Sequence, residues 1–301
     1  MSSSYLITVV VCTYNRSELL QVCLDSLACQ IVAKDKPVFE VIIVDNNSTD
    51  ATMDVACIFV EKYSHFRVVI EKQQGLSHAR NCGWQEAQGQ YVAYIDDDAK
   101  AYDDWIESII AFTIQYPSVS VFGGPYFAYS VVPVPAWFPK DYGALSNGAD
   151  TRSLRQDEWI SGTNMIFRKS LLAQFGGFET ELGMAGEVIA YGEETDLLQR
   201  MKDRKISIFY VPSVCVNHVI MAHKLNLYFL VKSSFARGMG TAKILNHSPS
   251  VCKKLFSLMI VCLKFPYTFT MCNERYIKTR LYRALAPVAS RLGAFLFTMR
   301  C

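Results

Sequence analysis

The sequence predicts an α/β fold: a mostly parallel central sheet flanked by helices, followed by a C-terminal helical appendage that is apolar and basic. Three observations predict it. Short β-branched runs alternate with stretches of helical periodicity over the first hundred residues, the mark of βαβ units and a parallel sheet. Polar clusters follow the ends of these runs, where open α/β sheets bind ligands. After about His218 the composition turns apolar and basic.

The elements follow in order. Leu6–Cys12 (LITVVVC) is a continuous apolar run, as expected of a strand buried on both faces. Ser17–Gln30 places Leu19, Leu20, Cys23, Leu24 and Leu27 at helical spacing, with Ser17 as the expected N-cap. Phe39–Val44 is the second strand. Ser48 or Thr49 is expected to cap a helix running to about Tyr63. Phe66–Ile70 is the third strand, Gly75–Ala87 the next helix and Tyr91–Ile95 the fourth strand, which ends in three aspartates. From Phe122 to Asp157, prolines at 125, 133, 135 and 139 indicate a long irregular segment of the kind that often binds ligands. Trp159–Phe167 reads as a strand, Glu193–Lys202 as a helix, and Ile206–Val211 and Val214–Val216 as short strands.

The 301 residues are 51% hydrophobic with a mean hydropathy of +0.14, which is greasy for a soluble enzyme. Residues 1–196 carry 13 Lys+Arg against 26 Asp+Glu, whereas residues 197–301 carry 17 against 2. Such a split suits an acidic body and a basic flank facing a membrane or another polyanion. No nucleic-acid partner is expected. Ten cysteines form no Cys-x-x-Cys pair and no zinc spacing, so a reduced compartment is expected, with Cys12, Cys82 and Cys215 as buried thiols. The short apolar run Tyr5–Cys12 reads as a strand and not as a secretory leader.

Leu255–Cys272 is apolar but holds Lys264 and Pro266. A central lysine costs about 3 kcal/mol on insertion scales, so helices lying in the membrane interface are expected over residues 225–301 ahead of the alternatives, a partner-docking or core role and a span. Arg275, Lys278, Arg280, Arg283 and Arg291 suit anionic headgroups. The expected location is cytoplasmic, peripheral at the inner face of the cell membrane.

Three constellations carry chemistry. Asp96-Asp97-Asp98 closes a buried strand. Adjacent carboxylates there need a cation or strong donors, and magnesium or manganese prefers such oxygen ligands while also bridging phosphates. The plain reading is an acidic helix start, since Asp103 and Asp104 follow. Gly192-Glu193-Glu194-Thr195-Asp196-Leu197 opens a helix, where carboxylates are favoured by the dipole but can also serve as a general base. In Gly75–Asn81, Arg80 lies near a helix start, an end that binds anions, and can reach a phosphate.

Taken with Thr13-Tyr14-Asn15-Arg16, Val44–Asp50 and Gly176-Gly177-Phe178-Glu179, these motifs stand in an order that resembles glycosyltransferase family 2 over roughly residues 5–218. The resemblance implies a GT-A, Rossmann-like domain over 1–218, with a nucleotide-binding half at about 1–98 and an acceptor-side half at 99–218. Residues 219–301 would form the membrane-associated appendage. It implies transfer of one sugar, with inversion, from a nucleotide-sugar donor to a hydroxyl acceptor in polysaccharide, lipopolysaccharide or glycolipid assembly, the acceptor being a saccharide or a lipid-linked sugar.

The residue roles are those the resemblance implies. Thr13, Tyr14, Asn15 and Arg16 line the nucleotide pocket. Asp45 accepts a base N–H. Arg80 meets ribose or diphosphate. Asp98 is the first ligand of Mn2+ or Mg2+. Asp96 and Asp97 hold the ribose or the metal's waters, Asp96 being a further candidate metal ligand. His218 joins the metal in several relatives, although a lone strand-end histidine is more often structural. Glu194 matches the base position, with a glutamate where the family usually has aspartate, so Glu193 stays open as the base. Trp159, Asn164 and Asp196 are acceptor-side positions, with core packing the plain alternative for Trp159. None of the four tryptophans is preceded by arginine, so the Gln-x-x-Arg-Trp motif of processive members is absent. The other readings are a catalytically inactive nucleotide-sugar-binding or scaffold protein, and a nucleotidyltransferase. The latter would need a glycine-rich phosphate loop, and Thr13–Arg16 has no glycine.

Overall fold

The computed structural model describes residues 5–30, 39–186, 188–244, 251–272 and 274–300. It divides into two compact units. The first holds residues 1–129, 143–181 and 194–219; the second holds 130–142, 182–193 and 220–301.

The first unit begins with three βα pairs: β1 Ile7–Thr13, α1 Ser17–Ala28, β2 Phe39–Asp45, α2 Thr52–Lys62, β3 Phe66–Ile70 and α3 Leu76–Glu86. It continues through β4 Tyr91–Ile95, β5 Ala99–Ala101, α4 Trp105–Gln115, β6 Val121–Gly123, β7 Tyr126–Tyr129, β8 Arg152–Ser153, β9 Asn164–Arg168, α5 Lys169–Phe175, α6 Glu193–Asp203, β10 Ile208–Tyr210 and β11 Val216–Val219. The sheet order is β3-β2-β1-β4-β9-β6-β10-β8, with β5-β11-β7 as a second small sheet.

β1 to β4 pair in parallel, as their unbroken apolar runs predict. Every residue of β2 is buried. The other half of the sheet is mixed, because β9 runs antiparallel to both β4 and β6. One apolar cluster fills each face. Leu20, Leu24, Trp105, Ile109 and Phe122 lie in one. Val10, Tyr94, Phe167, Phe178, Leu197 and Met201 lie in the other.

Several expected boundaries move. The strand expected at Trp159–Phe167 starts at Asn164, because Ser161–Asn164 closes a turn first. The strand at Val214–Val216 becomes Val216–Val219. Ser17 is the first helical residue and not the cap. The second helix starts at Thr52, whose N–H is taken by Asp50 Oδ1 at 3.0 Å, not by Ser48 or Thr49. Cys12, Cys82 and Cys215 are half-buried, whereas Cys23 is fully buried.

In the second unit, α7 Leu227–Ile244 packs on α9 Ile277–Arg300, which also packs on α8 Val251–Met271. Gly238 and Gly293 make the α7–α9 approach possible, since a Cβ on either would stand within 2.2 Å of the other helix's backbone. The segment 130–142 is tied to the first turns of α9. Thr279 Oγ1 donates to the Trp137 carbonyl, Lys278 lies over the Trp137 ring at 5.4 Å, and Arg283 grips Asp141. The window Lys254–Met271 is long and apolar enough to cross a membrane by length and composition, and none of it is buried. Residues 245–250, 273 and 301 of the expected appendage lie outside the described residues.

Candidate active site

The first two motifs meet at the carboxyl ends of β1 and β2, where they interlock through backbone and side chain. Asn46 N–H donates to the Thr13 carbonyl at 2.9 Å. Asn15 N–H donates to Ser48 Oγ, and Asn15 Oδ1 accepts from Thr49 N–H at 2.7 Å. Asn15 and Asn47 both adopt left-handed backbone, with φ of 51° and 66°, a conformation asparagine tolerates better than most side chains. Asn46 draws in the third motif. Its Oδ1 accepts Gly75 N–H at 2.8 Å, and its Nδ2 donates to the carbonyls of Glu71 and Gln73. This organising role was not expected. Its signal was its place inside the Asp45–Asp50 motif.

Asp45 is 3% exposed. Its Oδ2 accepts Ser48 N–H, whereas its buried Oδ1 meets no protein donor among the described residues. A buried acceptor of this kind costs about 1–3 kcal/mol if left unfilled, so it fits a ligand N–H.

The aspartates after β4 are held by cations and by backbone. Arg16 Nη1 bridges Asp97 Oδ1 at 2.9 Å and Asp98 Oδ2 at 3.1 Å. Burial raises the Asp97 carboxyl above its ordinary range, with Arg16 opposing the rise. Asp97 in turn is the chief group holding Arg16 protonated. Arg80 is 3% exposed and reaches Asp96 Oδ1 at 3.4 Å. Gly162 lets it lie there, because a Cβ at that position would sit 2.5 Å from Arg80 Nη2.

β11 brings His218 to the same place. It pairs antiparallel with β5, setting His218 opposite Ala99, and Val219 N–H donates to the Asp98 carbonyl. His218 Nε2 then lies 3.1 Å from Asp98 Oδ1, with the Tyr126 ring edge-on at 5.8 Å. One ligand atom from each of Asp96, Asp98 and His218 lies within 4.8 Å of the others. Two carboxylate oxygens and an imidazole in that space suit Mn2+ or Mg2+.

A site of this kind on such a sheet can be compared with known proteins. The family model described as Glycosyl transferase family 2 matches residues 8–176, more than half of the chain. The chain belongs to glycosyltransferase family 2. It is 29% identical over 184 residues to glycosyltransferase AglE of Haloferax volcanii, covering 60% of this chain and 59% of that protein. The chain thus spans less than two thirds of that relative's length. It is 27% identical over 241 residues to the glucosyl-dolichyl phosphate glucuronosyltransferase of the same organism, covering 77% and 75%. The mannosyltransferase PcManGT of Pyrobaculum calidifontis, solved with GDP-mannose and Mn2+, superposes with a TM-score of 0.57 at 17% identity, covering 96% of this chain and 73% of that one. This likeness establishes the GT-A fold.

The remaining expected residues of this family 2 member fall less uniformly. Tyr14 is half-buried. Trp159 is 59% exposed, its carbonyl held by Asn147, so core packing is not its role. Asn164 is fully buried and is not an acceptor-side residue. Its Nδ2 donates to the carbonyls of Pro125 and Val214, and its Oδ1 accepts Trp105 Nε1–H at 3.0 Å. Asn164→Ala strands these three partners and should cost about 3 kcal/mol in urea unfolding. Asp196 pairs with Arg200 at 2.8 Å. Glu193 and Glu194 open α6, and the boundary between the two units falls between them. Glu193 is 5% exposed, its carboxylate packed against Gly183, where φ is +86°; Glu194 is half-buried.

Proposed function

We propose that this protein transfers a single sugar from a nucleotide-sugar donor to a hydroxyl group, with inversion, and that its acceptor is a saccharide or lipid-linked sugar at a membrane surface. The observation that carries the reading is the convergence of Asp96, Asp98 and His218 within 4.8 Å beside two arginines. Asp98, Asp96 and His218 would hold Mn2+ or Mg2+, which when bound supplies a Lewis acid for the departing diphosphate. Asp45 receives the base N–H on its buried Oδ1. Thr13, Tyr14, Asn15 and Arg16 wall the nucleotide pocket, and Asp97 holds Arg16 beside it. Arg80 adds fixed positive charge near the phosphates. Glu194 takes the acceptor proton; it is half-buried, whereas Glu193 is buried, and it matches the base position of the motif. Trp159, exposed and flat, stacks on an acceptor sugar face.

Nucleotide release from a panel of nucleotide sugars, with and without manganese, tests the reading. Metal-dependent release from one donor is expected. No release from any donor, with lipid acceptors present, would leave an inactive binding protein.

Peripheral contact through α8 and α9, at the inner face of the cell membrane, is part of the same reading. The exposed side of α8 carries Leu255, Phe256, Met259, Leu263, Tyr267 and Met271, at 43–77% exposure. Lys264 is exposed as well. Residues 220–301 hold 13 Lys+Arg and one acidic residue, which suits anionic headgroups. Phe256→Glu with Leu263→Glu should lower co-sedimentation with anionic vesicles about tenfold or more. Unchanged binding would remove α8 from the membrane contact.

A further inference from the structure

The turn Phe175–Phe178 belongs to none of the roles above, yet two parts of the site hold on to it. It begins where α5 ends. Gly176 and Gly177 both have φ of 73°, and Gly177 N–H closes back to the Leu172 carbonyl at 3.0 Å. Only glycine fits at 177, because a Cβ there would stand 2.3 Å from Asn81 Oδ1.

From the nucleotide side, Asn81 clamps the turn like a strand partner. Its Nδ2 donates to the Phe178 carbonyl at 2.8 Å, and its Oδ1 accepts Phe178 N–H at 2.8 Å. Trp84 Nε1–H donates to the same oxygen and fixes the amide's orientation. The Phe178 ring so placed lies 5.5 Å from the Arg80 guanidinium, forming one wall of the slot that aims Arg80 at Asp96.

From the other side, Arg200 of α6 reaches the same turn. Its Nη1 donates to the Phe175 carbonyl and its Nη2 to the Gly177 carbonyl, both at 2.7 Å. Its Nε donates to Asp196 one helical turn earlier at 2.8 Å. The guanidinium is thus a rigid fork bonded at three nitrogens. Leu197, Leu198 and Met201 bury the inner face of α6, and Lys202 Nζ near its C-terminal end donates to the Gln156 and Glu158 carbonyls. The Arg200 fork is the anchor of α6 nearest Glu194 that ties the helix to the Phe175–Phe178 turn, six residues after Glu194.

We propose that Asn81 and Arg200 are positioning residues sharing this turn as a common anchor: Asn81 sets Arg80 against the donor, and Arg200 sets the helix that presents Glu194 to the acceptor. The Arg200 half rests on the reading of Glu194 as the base. A plainer account makes Arg200 only a cap for α5. That helix end is already closed by the two glycines, and a cap has no need of the Asp196 bond.

The two halves separate in kinetics, since a misplacement of about 1 Å can cost on the order of 100-fold in rate. The test is steady-state kinetics on the full chain with the donor that wild type hydrolyses, plus binding of UDP and GDP with manganese. Arg200→Met is expected to lower kcat about 30-fold with donor KM and nucleotide Kd within about twofold. Arg200→Lys, which keeps one donor to the turn, should recover about a third of the rate. Asp196→Asn should cost several-fold in kcat alone, and serves if Arg200→Met does not fold. Asn81→Ser should show the opposite split, raising donor KM and nucleotide Kd about tenfold with kcat within about threefold. Lowered melting temperature with kcat and KM unchanged, or equal losses in both constants for all variants, would overturn the proposal. Glu194→Gln is measured alongside. If it keeps turnover, the base reading falls and takes the Arg200 half with it. If it is inactive while Arg200→Met and Asp196→Asn turn over normally, the positioning inference alone fails.

Discussion

Glu194→Gln is expected to reduce turnover by about two to four orders of magnitude while nucleotide affinity stays within about twofold. The substitution is nearly isosteric and keeps the half-buried position at the start of α6, so the fold is undisturbed. It removes only the ability to take a proton. The contrasting variant is Glu193→Gln. Its carboxylate is packed against Gly183, so its loss should appear mainly in thermal stability. Turnover surviving in Glu194→Gln and lost in Glu193→Gln would reverse the assignment.

Asp98→Asn should be comparably severe and should differ in kind. Asp98 touches both Arg16 and His218, at 3.1 Å each. Neutralising it weakens the ligand set and removes one anchor of Arg16. Titration with manganese should show at least about tenfold weaker binding, and metal-stimulated donor release should fall by about 100-fold or more. Asp97 still holds Arg16, so nucleotide affinity without metal should change little. Wild-type manganese affinity in Asp98→Asn would remove Asp98 from the metal site.

The parallel half of the fold was legible because strands buried on both faces are continuous apolar runs, as in Ile7–Thr13 and Phe39–Asp45. Helix α4 was not read. Its buried residues Trp105, Ile106, Ile109, Ile110, Phe112 and Thr113 do fall in pairs at helical spacing, but the apolar Ala111 and Ile114 on the exposed side blur that period in the sequence. The direction of β9 has no sequence signature, since it depends on which neighbours it joins. The residues that converge on the candidate site, Arg16, Arg80, Asp96, Asp97 and Asp98, were legible through their motifs. Asn164 was misread because a polar residue inside a motif looks the same whether it faces a ligand or satisfies three buried groups. The clamp by Arg200 was invisible because its partners are main-chain carbonyls, which any residue supplies.

The reversed course of β9 bears on how such an enzyme can change its partners. Gly123, at the end of β6, pairs with Met165, and Ile95, at the end of β4, pairs with Asn164. β6 therefore leaves the sheet at the edge where the aspartates lie, and β9 enters from that edge. Everything between Gly123 and Asn164 is one excursion from the aspartate end of the sheet that starts and finishes at adjacent strands. A graft of a foreign segment over that interval alters no ladder bond of β1 to β4, but it must keep Gly162 beside Arg80 and β7 beside the strand of His218. Between those fixed points the segment can be exchanged while β1 to β4 are inherited intact.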